Sequence, residues 1–186
     1  MKNVVIISGH PCLKNSVANK TILDEIAKLC PQAEIRKLDE LYPDCKFDVK
    51  AEQAALEKAD VIIFQYPTHW YSVPGILKLY IDTVMEHGWA YGSKGTALKG
   101  KAFIASTTVG APENLYSAEG AMKHKVDEFY FGLQQYAALC GLDFKKLFYT
   151  CGMMYVPGIT SDAQKAALID KAKKQADDIV ECIKAL

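Results

Sequence analysis

Residues Val61 to Gly75 read VIIFQYPTHWYSVPG: a continuous apolar run that breaks into a loop crowded with Tyr66, His69, Trp70, Tyr71 and two prolines. A run that is apolar at every position, rather than at alternate ones, is the pattern of a strand buried on both faces of a parallel sheet. The strand is read at Val61–Tyr66, nearly continuous apolar runs recur at Val4–Ser8 and Ala102–Thr107, and two further strands are read at Glu34–Leu38 and Phe144–Thr150. Helical spacing fills the intervals. Ser16–Cys30 sets Ile22, Ile26 and Leu29 on one stripe behind Asn15 or Ser16 as N-cap, and Ala51–Lys58 is short and amphipathic. Pro74–His87 aligns Leu77, Ile81 and Val84, with Pro74 in the first turn, where a missing N–H costs nothing. Lys123–Cys140 ends at Gly141. The last helix starts at Asp162 behind Ser161 and Gln164 at capping-box spacing, with Leu168, Ala172, Ala176, Ile179 and Ile183 inward.

Five strands alternating with five helices make this an α/β chain with a doubly wound parallel sheet and helices on both faces. With the first strand central, a ligand belongs at the carboxyl ends of the strands, near the switch point between the first and third. That rule selects three loops, those after Ser8, Tyr66 and Thr107. The chain's 186 residues, half of them hydrophobic, suit one domain over 1–186. Its 22 basic residues balance 22 acidic ones, which argues against a partner such as nucleic acid or an anionic membrane surface. The apolar run Val4–Ile7 is too short for a signal peptide core or a membrane span, so a cytoplasmic location is expected. Six scattered cysteines lack CxxC pairs and short-range histidine partners, so metal and disulfide frameworks are not expected. Cys12 stands apart because its loop is one of the three.

Each loop has a functional and a plain structural reading. The first, Gly9 to Lys20, has neither GxGxxG nor GxxxxGK[ST], yet it runs into a helix N-terminus. Free first-turn N–H groups and the positive dipole end form a phosphate site, to which His10, Ser16 and Asn19 could add donors. Ordinary capping is the alternative. The second loop presents a flat, aromatic surface on a backbone stiffened by prolines, or else a strand-to-helix turn with Trp70 and Tyr71 packed inward. The third, Thr107 to Tyr116, has small residues that admit a ligand to the backbone, or is a plain surface loop holding a packed tyrosine. A phosphate site beside an aromatic platform suits flavin mononucleotide.

The segments GHPCLKNSVANK, EQAALEKADVIIFQYPTHWYSVPGILKLYIDTVMEHGWAYG and TTVG…Y resemble the NAD(P)H:quinone oxidoreductase branch of the flavodoxin-like fold. They are most similar to the bacterial flavoproteins that accompany glutathione-gated potassium efflux systems. The resemblance implies a flavodoxin-like sheet of order 2-1-3-4-5 and FMN contacts at His10, Ser16, Val17, Ala18 and Asn19. It further implies Pro67, Thr68, His69, Trp70 and Tyr71 beside the flavin ring, and Thr107, Thr108, Val109 and Gly110 along its polar edge. Tyr116 resembles the tyrosine that assists hydride transfer. Trp89 and Tyr91 match aromatic walls supplied by the partner subunit of a homodimer, with packing inside one subunit as the alternative.

Three departures stand out. Val109 replaces the first of two glycines that follow the threonine pair, and Tyr116 lies about one residue further on than the family spacing. The family's histidine, six positions after the tyrosine, falls on Met122, with His124 nearby read as a surface histidine. FMN is expected rather than FAD, because the FAD-holding vertebrate members carry a longer C-terminal region.

The resemblance implies a two-electron, ping-pong reductase in which NAD(P)H passes hydride to the flavin and leaves before a quinone enters. Azo and nitro compounds are surrogate acceptors. The alternative is a regulatory ancillary flavoprotein docked on a membrane potassium efflux protein. A flavodoxin-like electron carrier ranks last, since such carriers are strongly acidic and this chain is neutral.

Overall fold

A computed structural model describes residues 2–186. Its sheet has five parallel strands in the order β2-β1-β3-β4-β5, the order expected. The strands are β1 (Val4–Ser8), β2 (Glu34–Lys37), β3 (Val61–Pro67), β4 (Ala102–Thr108) and β5 (Asp143–Thr150). The helices are α1 (Ala18–Leu29), α2 (Leu38–Leu41), α3 (Val49–Lys58), α4 (Gly75–Val84), α5 (Phe131–Leu139) and α6 (Asp162–Ala185).

Successive side chains of a strand point to opposite faces, and here each face meets its own helical layer. Val5, Ile7, Ile62, Phe64 and Phe103 pack toward α3, α4 and α5. Val4, Ile6, Val61, Ile63 and Ile104 pack toward α1 and α6. Both faces are covered, which is why β1, β3 and β4 are largely apolar without alternation and buried at every residue.

The helices differ from expectation where tertiary contacts overrule local pattern. On α1 the buried stripe is Ile22, Leu23 and Ile26, while Leu29 is exposed in the last turn. On α4, Tyr80 rather than Ile81 is fully buried, and Pro74 is the extended N-cap rather than a helical residue. That helix stops at Val84, short of His87. The expected helix Lys123–Cys140 is regular only from Phe131. Lys123 has φ of 61°, and a 3-10 segment at Val126–Tyr130 precedes α5. There the burial of Val126 and Tyr130 wins over helical propensity. The short α2 went unread, as did the Asp48 cap of α3, whose side chain accepts from the Ala51 N–H at 3.1 Å. The capping box of α6 forms as read.

One buried carboxylate ties an edge strand to the α3–α4 layer. Glu52 of α3 accepts from Arg36 Nε of β2 at 2.7 Å, from the Tyr80 hydroxyl of α4 at 3.1 Å, and from the Tyr42 hydroxyl. The Glu52 carboxylate, by hydrogen bonding first, holds the Arg36 guanidinium firmly protonated.

Candidate functional site

Because every strand is parallel, the loops that follow them meet at one edge of the sheet. A cleft of about 250 Å³ opens there between the loops after β1, β3, β4 and β5. Two larger clefts, about 640 and 440 Å³, adjoin it across His69 and Met154, but neither joins all four loops.

The first wall is the start of α1. Ser16 has extended backbone, φ −90° and ψ 128°, and its Oγ accepts the Asn19 N–H at 3.1 Å. It therefore caps the helix, leaving Val17 and Ala18 as first-turn residues with N–H donors that lack helical acceptors and border the cleft. His10 Nδ1 accepts from the Cys12 N–H at 3.0 Å, which puts the proton of the neutral ring on Nε2. Burial lowers the His10 pKa, the nearby His69 adds to this, and Asp39 opposes it. Asn19 is 2% exposed, and its amide is committed to protein partners, Gln65 and Thr108, at 2.9 Å each.

The second wall follows β3. Pro67 is buried, and the Thr68 N–H donates to Thr108 O at 2.8 Å, which locks this loop to the next. Thr68 Oγ1 lies 2.9 Å from Thr107 Oγ1 and shares a hydrogen bond with the Tyr130 hydroxyl. Beyond it His69 and Ser72 exchange main-chain hydrogen bonds of 3.0 and 3.1 Å around Trp70 and Tyr71, whose φ angles are 49° and 61°. Two successive positive φ values make a type I′ turn, a conformation that favours Asn-Gly and disfavours bulky side chains. Trp70 is 93% exposed and Tyr71 45%, so neither packs into the core. Neither borders the cleft's floor. Tyr71 instead leans on Phe129 at 5.1 Å between ring centroids, and its hydroxyl meets Met122 Sδ at 3.4 Å.

The third wall is the end of β4. Thr108 and Gly110 line the cleft, whereas Thr107 and Val109 lie behind it, fully buried. Val109 keeps a negative φ, and its side chain joins the core, so the β-branched residue fits without strain. Its N–H is spent on Thr150 O and its carbonyl on Met153 N–H, both at 2.9 Å, which removes one expected main-chain donor from the cleft. Tyr116 stands outside the cleft in an aromatic cluster, 6.1 Å from the Phe129 ring, with its pKa raised by burial. His124 sits on the same ring's flank, 5.9 Å away, paired with Glu128 at 2.7 Å.

The sequence reading missed the fourth wall, Met153, Met154 and Tyr155 after β5, although the rule that selected three loops also covers a fourth strand end. It also missed Gln65 and Tyr130, whose side chains act from behind the cleft and carry no motif. Trp89 and Tyr91 lie elsewhere. The Trp89 indole N–H donates to Glu57 Oε1 at 2.6 Å, at the end of α3 that leads into the amino end of β3. Tyr91 packs edge-on against His87 at 5.5 Å. Both are therefore at the opposite end of the sheet from the cleft.

A family model described as a flavodoxin-like fold matches residues 2–179. The chain is 50% identical over 110 residues to the glutathione-regulated potassium-efflux system ancillary protein KefF of Enterobacter sp. (strain 638). That match covers 59% of this chain and 62% of the relative, less than two thirds of its length. The crystal structure of general stress protein 14 from Treponema denticola in complex with FMN superposes with a TM-score of 0.86, at 30% identity, over 97% of this chain and 98% of that one. An NADPH-quinone reductase from P. pentosaceus superposes with a TM-score of 0.73, at 25% identity, over 95% and 98%. Sheet order, cleft position and these matches agree: the chain belongs to the flavodoxin-like fold family.

Proposed function

We propose that this protein is an FMN-dependent NAD(P)H:quinone oxidoreductase that transfers two electrons per turnover in a ping-pong sequence. The observation that carries the proposal is a phosphate-type donor set at one cleft, whose lining residues Thr68 and His69 lead directly into the exposed, strained Trp70–Tyr71 turn. The donors are the Val17 and Ala18 N–H groups, the Ser16 and Thr108 hydroxyls and His10 Nε2. No carboxylate lines that cleft among the described residues. A phosphate monoester, which as the dianion only accepts hydrogen bonds, fits such a set. The FMN complex of the Treponema relative supports the cofactor, and the name of the P. pentosaceus protein supports the reaction class.

Bound FMN would supply the redox chemistry between NAD(P)H and the quinone acceptor. The chain's residues position and polarise. The start of α1 holds the phosphate, and the Thr68 hydroxyl is kept in place by Thr107 and Tyr130. Trp70 and Tyr71 offer ring faces to a flat ligand. Tyr116, kept protonated by burial, serves as a phenol donor at the rim. Trp89 and Tyr91 can reach a cleft only in a second copy, so a homodimer is part of the proposal.

The KefF match favours a second reading, a regulatory flavoprotein that docks on a potassium efflux protein at the cytoplasmic face. Among the described residues no helix is long and apolar enough to cross a membrane. The two readings are compatible, since one protein can both reduce quinones and dock.

The deciding experiment is a visible spectrum of the FMN-reconstituted protein under anaerobic NADPH titration, followed by menadione. Bleaching of the flavin band by about one equivalent of NADPH, and its return on adding quinone, is expected for two-electron ping-pong transfer. A protein that stays colourless after reconstitution, or a flavin that NADPH and NADH both fail to bleach, refutes the reductase reading.

A further inference from the structure

Gln65 lies on β3 between Ser8 of β1 and Ser106 of β4, and it is fully buried. It does not line the cleft, yet its orientation governs two groups that do. Its Nε2 donates to Asn19 Oδ1 at 2.9 Å. That bond turns the Asn19 Nδ2 toward Thr108 Oγ1, at 2.9 Å, with Ser16 Oγ at 3.5 Å. Ser16 Oγ also accepts from the Asn19 main-chain N–H at 3.1 Å. Both hydroxyls therefore spend a lone pair on α1 and keep their protons for the cleft.

With the Asn19 amide turned over, its carbonyl would take the Thr108 proton, and the cleft would meet a lone pair there. A phosphate monoester in its dianionic form, above its second pKa of about 6, has no proton to donate, so it binds only the first arrangement. A sugar hydroxyl can donate or accept, so it tolerates either. A second observation points the same way. Gln65 Oε1 is buried with no hydrogen-bond partner, an arrangement that costs stability and that an apolar side chain of similar volume would relieve.

We propose that Gln65 is a positioning residue: by fixing the Asn19 amide it makes Thr108 a donor beside Ser16, and so selects a ligand with an anionic phosphate over one ending in a hydroxyl. The proposal rests on the flavin reading of the cleft and deepens it.

The test compares FMN with riboflavin, by flavin fluorescence quenching, in wild type, Gln65→Met and Gln65→Glu. Wild type is expected to prefer FMN. In Gln65→Met the preference falls by about threefold or more. In Gln65→Glu it falls by about tenfold or more once the pH exceeds the carboxyl's burial-raised pKa, because the ionised carboxylate then accepts from Asn19 and forces the turned-over amide. Riboflavin affinity itself should change by less than about twofold, since its hydroxyls adapt. An unchanged preference in Gln65→Met overturns the proposal, even if Gln65→Glu is weak, because added charge would then explain that variant. Equal losses for both flavins also overturn it, as they mark a merely structural role.

A readout without flavin separates this idea from the function on which it rests. The Asn19 side-chain amide protons of the flavin-free protein should exchange at least about tenfold faster in Gln65→Met, and equal rates overturn the proposal. Wild type that binds neither flavin while the exchange difference holds refutes the flavin reading and leaves the amide-setting role of Gln65 standing.

Discussion

Trp70 and Tyr71 are where residue chemistry and backbone geometry conflict most. Two bulky side chains occupy the left-handed positions of a type I′ turn, at a cost of about 1–3 kcal/mol each, and Trp70 regains nothing by burial. The double change Trp70→Asn with Tyr71→Gly installs the residues the turn prefers. It is expected to raise the unfolding free energy of the flavin-free protein by about 1–3 kcal/mol in urea, while weakening FMN by about tenfold. Stabilisation without loss of FMN affinity would deny these rings a role in binding. The loop was legible as unusual in the sequence, but a core corner and a ligand platform read alike until exposure was known. Val109 was legible as a departure. Its harmlessness was not, because it depends on a φ angle and a place in the core that no motif encodes.

At the scale of elements, the best-read pieces are those whose signal is local. The β-strands, the Ser16 cap and the capping box of α6 follow from neighbours within a few residues of each other. The segment from Ala111 to Tyr130 was read as loop and helix with less success. Its 3-10 turn exists because Tyr130 reaches Thr68 and Val126 enters the core, both long-range events. The Glu52 cluster is likewise long-range and joins β2, α3 and α4 through Arg36, Tyr42 and Tyr80. Glu52→Ala would leave a guanidinium and two phenols without their buried acceptor. A destabilisation of about 3–5 kcal/mol is expected in chemical denaturation, since an orphaned charge costs more than a missing pair. Near-neutral behaviour would mean that water reaches Arg36 in the variant.

For the whole molecule, the question is what covers the cleft. Trp89 and Tyr91 sit at the amino end of the sheet, so only a second copy can bring them to a site at the carboxyl end. The protein is expected to elute as a dimer. Trp89→Ala with Tyr91→Ala should lower NADPH–menadione turnover by about tenfold while FMN stays bound, as lost aromatic contacts affect the acceptor rather than the phosphate. A fully active monomer would remove these residues from the site.

By itself the sequence determined a doubly wound parallel sheet with its first strand central and three of the loops at its carboxyl edge, and the resemblance supplied the full strand order. Continuous apolar runs, helical stripes and right-handed crossovers leave few other ways to bury this chain. Only the tertiary structure decided which atoms of those loops are free. Val109 N–H is taken by Thr150, the Asn19 amide by Gln65 and Thr108, and the Ser16 and Thr108 hydroxyl oxygens both accept from Asn19. Those assignments join residues as far as 89 apart in the chain, so hydrogen-bond direction at the site is a property of the packed sheet and of no single segment.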